Sequence, residues 1–213
     1  MSAPMSGRKA QAARNDTLIV EAARKVFVAE PSAPIAAVAE EAGVGISALY
    51  RRYPSKEDLL RKVCADGLAT YTALVQDAVD DEDGDPWTVF ETFMRRVVAA
   101  DTHSITVALA GTFTPSQELY AAAEHSGHLN VALMERTRDA GVIRPDVDHA
   151  DLGVIFEQLA AVNEGDARRT QELRQRYLTL ILDGLRLPPT TTPLPSEAPT
   201  LEERGRRWVQ QGH

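Results

Sequence analysis

The chain is predicted to be all-α, a three-helix head followed by a helical bundle, and three observations carry this. Apolar residues recur at helical spacing in segment after segment, no stretch alternates apolar and polar residues as a strand does, and Gly and Pro fall between the periodic segments. The composition divides the 213 residues into a basic arm (1–11), a head (12–60), a body (61–187) and a Pro/Thr-rich tail (188–213). The arm holds Ser, Pro, Gly and the pair Arg8-Lys9 with no periodicity, and is expected to be disordered.

In the head, QAARNDTLIVEAARKVFVAE places Leu18, Ala22 and Val26 on one helical face with Ile19 and Phe27 beside it. Pro31, Ser32 and Pro34 then break the chain. A second helix follows, with Ile35, Val38, Ala39 and Ala42 at i, i+3, i+4 and i+7, and Gly43 suits its C-terminal stop because glycine takes positive φ without a Cβ clash. After the corner Val44-Gly45, a third helix from about Ile46 to Tyr53 ends before Pro54. Two helices joined by a short Gly-containing turn have the geometry of a helix-turn-helix.

The chemistry of the third helix suits a nucleic-acid duplex. Leu49 and Tyr53, four apart, can anchor it, which leaves Ser47, Tyr50, Arg51 and Arg52 for the groove and backbone. Arg pairs with guanine or phosphate through two N–H donors, and Ser and Tyr hydroxyls bond phosphate oxygens. Ser55 is placed to cap the next helix, with Glu57 and Asp58 in its first turn and Lys56 set to meet a phosphate.

The stretch AGVGISALYRRYPSKEDLL, Ala42 to Leu60, resembles the end of the DNA-binding domain of the tetracycline-repressor (TetR) family, whose members carry A-G-V-x-x-x-x-L-Y-x-x-F-x-x-K at this spacing. The resemblance runs from roughly Arg14 to Leu60. It departs at Gly45, where the family often has Ser or Thr, at Ala33-Pro34, where a Thr is usual, and at Tyr53, which replaces Phe. Gly is a tolerated N-cap and Pro suits a first helical position, so the geometry survives while two phosphate-binding hydroxyls are lost. The resemblance implies a ligand-responsive transcriptional repressor that binds a near-palindromic operator as a homodimer and is released by a small-molecule effector. The expected DNA-contacting residues are Gly45, Ile46, Ser47, Ala48, Tyr50, Arg51, Arg52 and Lys56. A rival reading is a small-molecule-binding bundle with a non-functional head.

The formal charge of −8 looks unsuited to DNA until it is divided. Residues 1–62 carry ten Lys/Arg against seven Asp/Glu, net +3, and the remainder is net −11. A basic head on an acidic body favours a few aimed phosphate contacts whose strength falls with salt. One cysteine, Cys64, excludes an internal disulfide framework, and its thiol is expected to be a small core group. With no long apolar span and no secretory signal in the sequence, a cytoplasmic address is expected.

From Ser55 one long helix should run past Val75, its start in the head and its end in the body, a candidate lever. About five or six helices make the body, with Gly141 as a helix stop; IRPDVDHAD resembles the linker of the same family, which implies Asp148 as the N-cap of the helix that follows. The last two long helices are apolar on more than one face (Leu152, Ile155, Phe156, Leu159 and Val162, then Leu173, Tyr177, Leu178, Leu180, Ile181, Leu182 and Leu185), so a twofold mate is expected to cover the second face. Trp87, Phe90, Met94, Phe113, Tyr120 and Phe156 are candidates to line an effector cavity in the bundle. His125 and His128 beside Glu124 lack further donors, so no metal or other cofactor is expected, and no nucleophile elbow, phosphate loop or zinc-protease motif supports an enzyme. The tail PPTTTPLPSEAPT cannot build its own core, and Trp208 beyond it is expected to be loose.

Overall fold

The computed structural model describes residues 7–187 and 192–208. The head is built from α1 (Gly7–Ala29), α2 (Ile35–Glu41) and α3 (Ile46–Arg52), and α4 (Lys56–Asp80) leaves it for the body. There follow α5 (Pro86–Ala100), α6 (Thr102–Leu109), α7 (Gln117–Asp139), α8 (His149–Ala160) and α9 (Ala167–Leu185), then α10 (Leu201–Gly205) with a 3-10 turn at Arg206–Trp208. No strand occurs among the described residues; an isolated antiparallel bridge joins Ile143 to Arg186 and ties the α7–α8 linker to the end of α9.

The expected arm needs correction. Residues 1–6 lie outside the described residues, but α1 is already helical from Gly7, because RKAQAAR is made of good helix formers and nothing breaks the chain before Pro31. The buried face of α1 is Ile19, Ala22, Ala23 and Phe27, while Leu18 points outward at 47% exposure. The stripe is rotated by about one residue from the one read from the sequence, since Ala23 packs as tightly as a larger residue where α1 meets its neighbours.

Two cores exist, and they do not divide at residue 60. One joins Ile19, Phe27, Val38, Leu49 and Leu59 of the head to Ile105, Leu109 and Phe113 around α6. The other fills the body with Val75, Phe90, Phe93, Met94, Leu133 and Leu178 among others. α4 contributes to both, through Leu59, Leu60 and Val63 at one end and Tyr71, Leu74 and Val75 at the other. Head and body are therefore coupled through two elements, α4 and α6.

The junction between α5 and α6 is Asp101, which has φ 50 and caps both helices. Asp visits this left-handed region more readily than most residues, and its partners hold it there. Arg24 of α1 donates to its carbonyl at 2.6 Å, Arg174 of α9 pairs with its carboxylate at 2.7 Å, and the Ser104 hydroxyl donates to the same carboxylate. Arg174 also donates to the carbonyls of Val162 (3.0 Å) and Ala160 (2.8 Å), which satisfies the C-terminal end of α8.

The tail is the second correction. Residues 188–191 and 209–213 lie outside the described residues, but 192–208 dock on the body. Arg144 donates to the Thr192 carbonyl at 2.7 Å, and Leu194 N–H donates to Asp146 at 3.0 Å. Thr200 and Glu203 form a capping box that starts α10, Arg204 pairs with Glu157 of α8, and Trp208 packs edge-on against Phe113 at 5.9 Å. Its Pro/Thr/Ser composition denies the segment a core of its own, but it borrows the surface of the body instead.

Candidate functional site

The turn between α2 and α3 closes as a Schellman motif. Gly43 takes φ +64, Val44 N–H donates to the Ala39 carbonyl (3.0 Å) and Gly43 N–H to that of Glu40 (3.1 Å). Gly45 then caps α3 in an extended conformation with no side-chain hydrogen bond. Leu49 is fully buried and Tyr53 nearly so, and this pair fixes the rotation of α3. Ile46, Ser47, Tyr50 and Arg51 consequently face outward, with Tyr50 46% exposed and Ala48 half-buried at the edge.

Arg52 and Lys56 stand differently from what their spacing suggested. Arg52 reaches back to Asp16 of α1, Nε to Oδ1 at 2.6 Å and Nη2 to Oδ2 at 3.2 Å, and the Tyr53 hydroxyl donates to the same carboxylate at 2.7 Å. This three-residue clip ties the end of α3 to α1. The Arg52 guanidinium holds the Asp16 carboxyl below its ordinary range, burial and the Asp16 bond push the Tyr53 phenol up, and Asp16 raises Arg52 in return. Lys56 donates to the carbonyls of Pro31 (3.1 Å) and Ala33 (2.7 Å) and lies 4.9 Å from the Phe27 ring centre. It closes the α1–α2 loop, and burial lowers its pKa. Its side chain is turned inward rather than toward a polyanion. Arg51, by contrast, has no ion-pair partner among the described residues.

Ser55 caps α4 as expected, accepting from Asp58 N–H at 3.1 Å. The head thus displays a compact outward patch whose fixed parts are Gly45, Ile46, Ser47, Ala48, Tyr50 and Arg51.

In the body, α4, α6, α7 and α8 surround a cavity of about 310 Å³. Its polar wall includes Tyr71, whose hydroxyl donates to Asn130 Oδ1 at 2.7 Å, together with Ser126, Thr102, His103 and His149. Burial raises the Tyr71 phenol, which keeps it a neutral donor and acceptor. Cys64 borders the same space, and burial pushes its thiol up to about 12.

Of the six residues expected to line an effector cavity, Tyr120 borders this one, at its mouth. Trp87, Phe90 and Met94 are sealed in the body core, where α5 packs on its neighbours. Phe113 belongs to the core shared with the head, and Phe156 stands one layer behind the wall, 4.8 Å from the His103 ring and 6.1 Å from that of Tyr71. An aromatic stripe at helical spacing marked the core, whereas the cavity wall mixes small and polar residues with Leu68, Tyr71, Leu119 and Trp208. The legible signal was on α7, where Ala123, Ser126, Gly127 and Asn130 put a small, polar stripe on an inward face. No group of His, Cys, Asp or Glu placed to hold a metal occurs among the described residues.

The outer face of α9 carries a second apolar surface: Tyr177 and Leu180 are exposed, the latter at 60%, with Leu173 and Ile181 half-buried on the same helix and Val154 and Ile155 half-buried on α8. Among the described residues no helix is long and apolar enough to cross a membrane.

Residues 19–63 match the family described as bacterial regulatory proteins, tetR family, and residues 85–187 match the SbtR-like transcriptional regulator C-terminal domain. No curated protein matches at a significant level. Among solved structures, the TetR transcription regulatory protein from Mycobacterium vanbaalenii is 28% identical with a TM-score of 0.55, over 84% of this chain and 99% of that one. The TetR regulator SCO0520 from Streptomyces coelicolor is 25% identical with a TM-score of 0.55, over 82% and 99%. LfrR from Mycobacterium smegmatis, solved in complex with proflavine, shares the fold at 23% identity and a TM-score of 0.53, over 78% and 94%. Head and body match in chain order, and the chain belongs to the TetR family of DNA-binding transcriptional regulators, which are not enzymes.

Proposed function

We propose that the protein is a homodimeric, ligand-responsive repressor that binds a near-palindromic operator and is released when a small molecule fills the body cavity. The observation that carries this reading is the orientation of α3, with Leu49 and Tyr53 inward and Ile46, Ser47, Tyr50 and Arg51 outward. Ser47, with the backbone and side chains of Gly45, Ile46 and Ala48, lies nearest the base edges; Tyr50 and Arg51 hold phosphates or a guanine. Arg52 and Lys56 act here chiefly by fixing α3 and the α1–α2 loop, with the exposed edge of Arg52 still able to face a phosphate.

The exposed apolar face of α9, with the half-buried Val154 and Ile155 of α8, is the surface a twofold mate would cover, in a four-helix interface. Such a dimer would set two α3 helices about 34 Å apart, one turn of the duplex. Because α4 belongs to both cores, a ligand in the cavity would tilt it and change the separation of the heads. That coupling requires the ligand to bind one head spacing better than the other. A regulator of the same fold, LfrR, was solved with proflavine, which supports a ligand role for the bundle.

The test is a gel shift of the purified protein against DNA upstream of its own gene, with wild type and Tyr50→Ala. Sequence-selective binding lost in Tyr50→Ala supports the reading. Equal retention of random duplex by both proteins would instead favour a ligand-binding bundle with a non-functional head.

A further inference from the structure

Two residues of the docked tail, Arg204 and Trp208, border the body cavity from outside the bundle. They are four apart, on one side of the α10 segment, and both are partly buried. The segment that carries them is held at its far end by Arg144 and Asp146, a pair at 2.6 Å that pulls the Asp146 carboxyl down to about 2. Its near end is held by Glu157, which accepts from Arg204 Nη2 at 2.6 Å and Nη1 at 3.1 Å, and by the ring of Phe113. The segment is fastened at both ends, and its Arg204–Trp208 end forms part of the wall of a ligand-sized space.

The fit at Arg204 is close. A Cβ at Gly153 of α8 would stand 2.4 Å from Arg204 Nη2, so the guanidinium lies against bare backbone that only glycine leaves open. The chemistry of the wall is one-sided. Among the described residues that line the cavity there is no Asp or Glu, and Arg204 is the sole Lys or Arg. With its Oδ1 taken by Tyr71, Asn130 offers its NH₂ to the interior, while the hydroxyls of Ser126, Thr102 and Thr106 are engaged by Thr72, by His103 and by the Thr102 carbonyl. A carboxylate-free wall that carries a guanidinium and an amide NH₂ disfavours cations and suits acceptor oxygens.

We infer that the C-terminal tail is a structural part of the effector site, with Arg204 the residue that selects an apolar ligand bearing an oxyanion and Trp208 the apolar cover above it. The inference rests on the proposal that this cavity is where the effector binds. Glu157 neutralises Arg204 while the site is empty, and a ligand oxyanion shares or replaces it. The same movement bears on Phe113 through Trp208, and Phe113 lies in the core that α6 shares with the head.

The test compares two probes with the same ring system on the full-length protein: 8-anilinonaphthalene-1-sulfonate, which carries an oxyanion, and N-phenyl-1-naphthylamine, which does not. Wild type should bind both, one per protomer. Arg204→Met should weaken the sulfonate about tenfold or more while leaving the neutral probe within about twofold, as expected for loss of one charge-assisted contact. Gly153→Ala leaves the tail sequence intact and favours helix α8, which offsets the loss of the Arg204–Glu157 pair, yet displaces the guanidinium, so it should reproduce the selective loss in a protein that still folds. Glu157→Gln should act oppositely and tighten the sulfonate. Sulfonate binding indifferent to Arg204→Met, or parallel loss of both probes, overturns the role of the tail but leaves the cavity proposal standing. Failure of wild type to bind either probe overturns the cavity proposal and this one with it.

Discussion

Arg174→Met removes the buried centre of the joint where the end of α8, the α5–α6 corner and α9 meet, one bond away from the head through Asp101 and Arg24. The Arg174 side chain is 7% exposed and donates to two carbonyls at the end of α8 and to Asp101. A hydrogen bond from a charged donor contributes about 1.5 kcal/mol at the low end, so the two carbonyls left unpaired account for about 3 kcal/mol. The ion pair adds little, about 1 kcal/mol at most, because the Asp101 carboxylate is 41% exposed and screened by solvent. Methionine recovers part of this through its buried chain, which leaves a net loss of about 3 kcal/mol. In a chain of this length that corresponds to a fall in Tm of roughly 6–12 °C. The assay is thermal and urea unfolding at fixed protein concentration, with Arg168→Met as the control. That residue is 81% exposed in an i,i+4 pair, so its loss should cost less than about 1 kcal/mol. A second readout is amide exchange in α1, which should quicken in Arg174→Met because the Asp101 carbonyl that Arg24 holds is no longer fixed. A loss below about 1 kcal/mol, with α1 unaffected, would refute the assignment of this joint to Arg174.

The clip at Asp16 gives a dependence on pH. Its folded pKa lies below the unfolded value near 3.9, so its contribution is full above about pH 4 and is lost as the pH falls through the lowered value. Asp16→Asn should therefore flatten the acid limb of an unfolding titration below about pH 4, and an unchanged limb would contradict the clip. Cys64, with its thiol raised to about 12, should resist alkylation by iodoacetamide at pH 8 in the native protein and react once urea unfolds it; rapid native labelling would contradict its burial. Gly45→Ser places a hydroxyl at the N-cap of α3, where an added Cβ meets nothing within 4 Å. It should stabilise the head by a few tenths of a kcal/mol and tighten DNA binding through one more phosphate contact, both measurable by melting and by fluorescence anisotropy. Weaker DNA binding by Gly45→Ser would show that this helix end does not approach a phosphate.

The head was legible because its signals are local. Gly43, Pro54 and the Leu49/Tyr53 anchor each act within a few residues, and together they fix the two ends and the rotation of α3. Side-chain direction across elements was not legible. Arg52 and Lys56 read as phosphate contacts from their positions on the helix, and only the tertiary fold brings Asp16 and the α1–α2 carbonyls within their reach. In the body, the aromatic residues of α5 were visible as a stripe, but a stripe marks burial, and a cavity is defined by what is missing from the wall. Gly67, Ala123 and Gly127 carry that information through their small size, which composition and periodicity weigh lightly. The tail was misread for a related reason. Its poverty in apolar residues rules out a core within the segment but says nothing about a surface elsewhere that Arg204, Trp208 and Leu194 can reach.

Hydroxyl-radical footprinting on the DNA upstream of the gene measures the placement of the two α3 helices on the duplex. The expected result is two protected patches about ten base pairs apart, related by an approximate dyad, which fade together as salt is raised and are absent with Tyr50→Ala. A single patch, or protection spread evenly along any duplex and unchanged in Tyr50→Ala, would contradict the claim that paired α3 helices read this DNA.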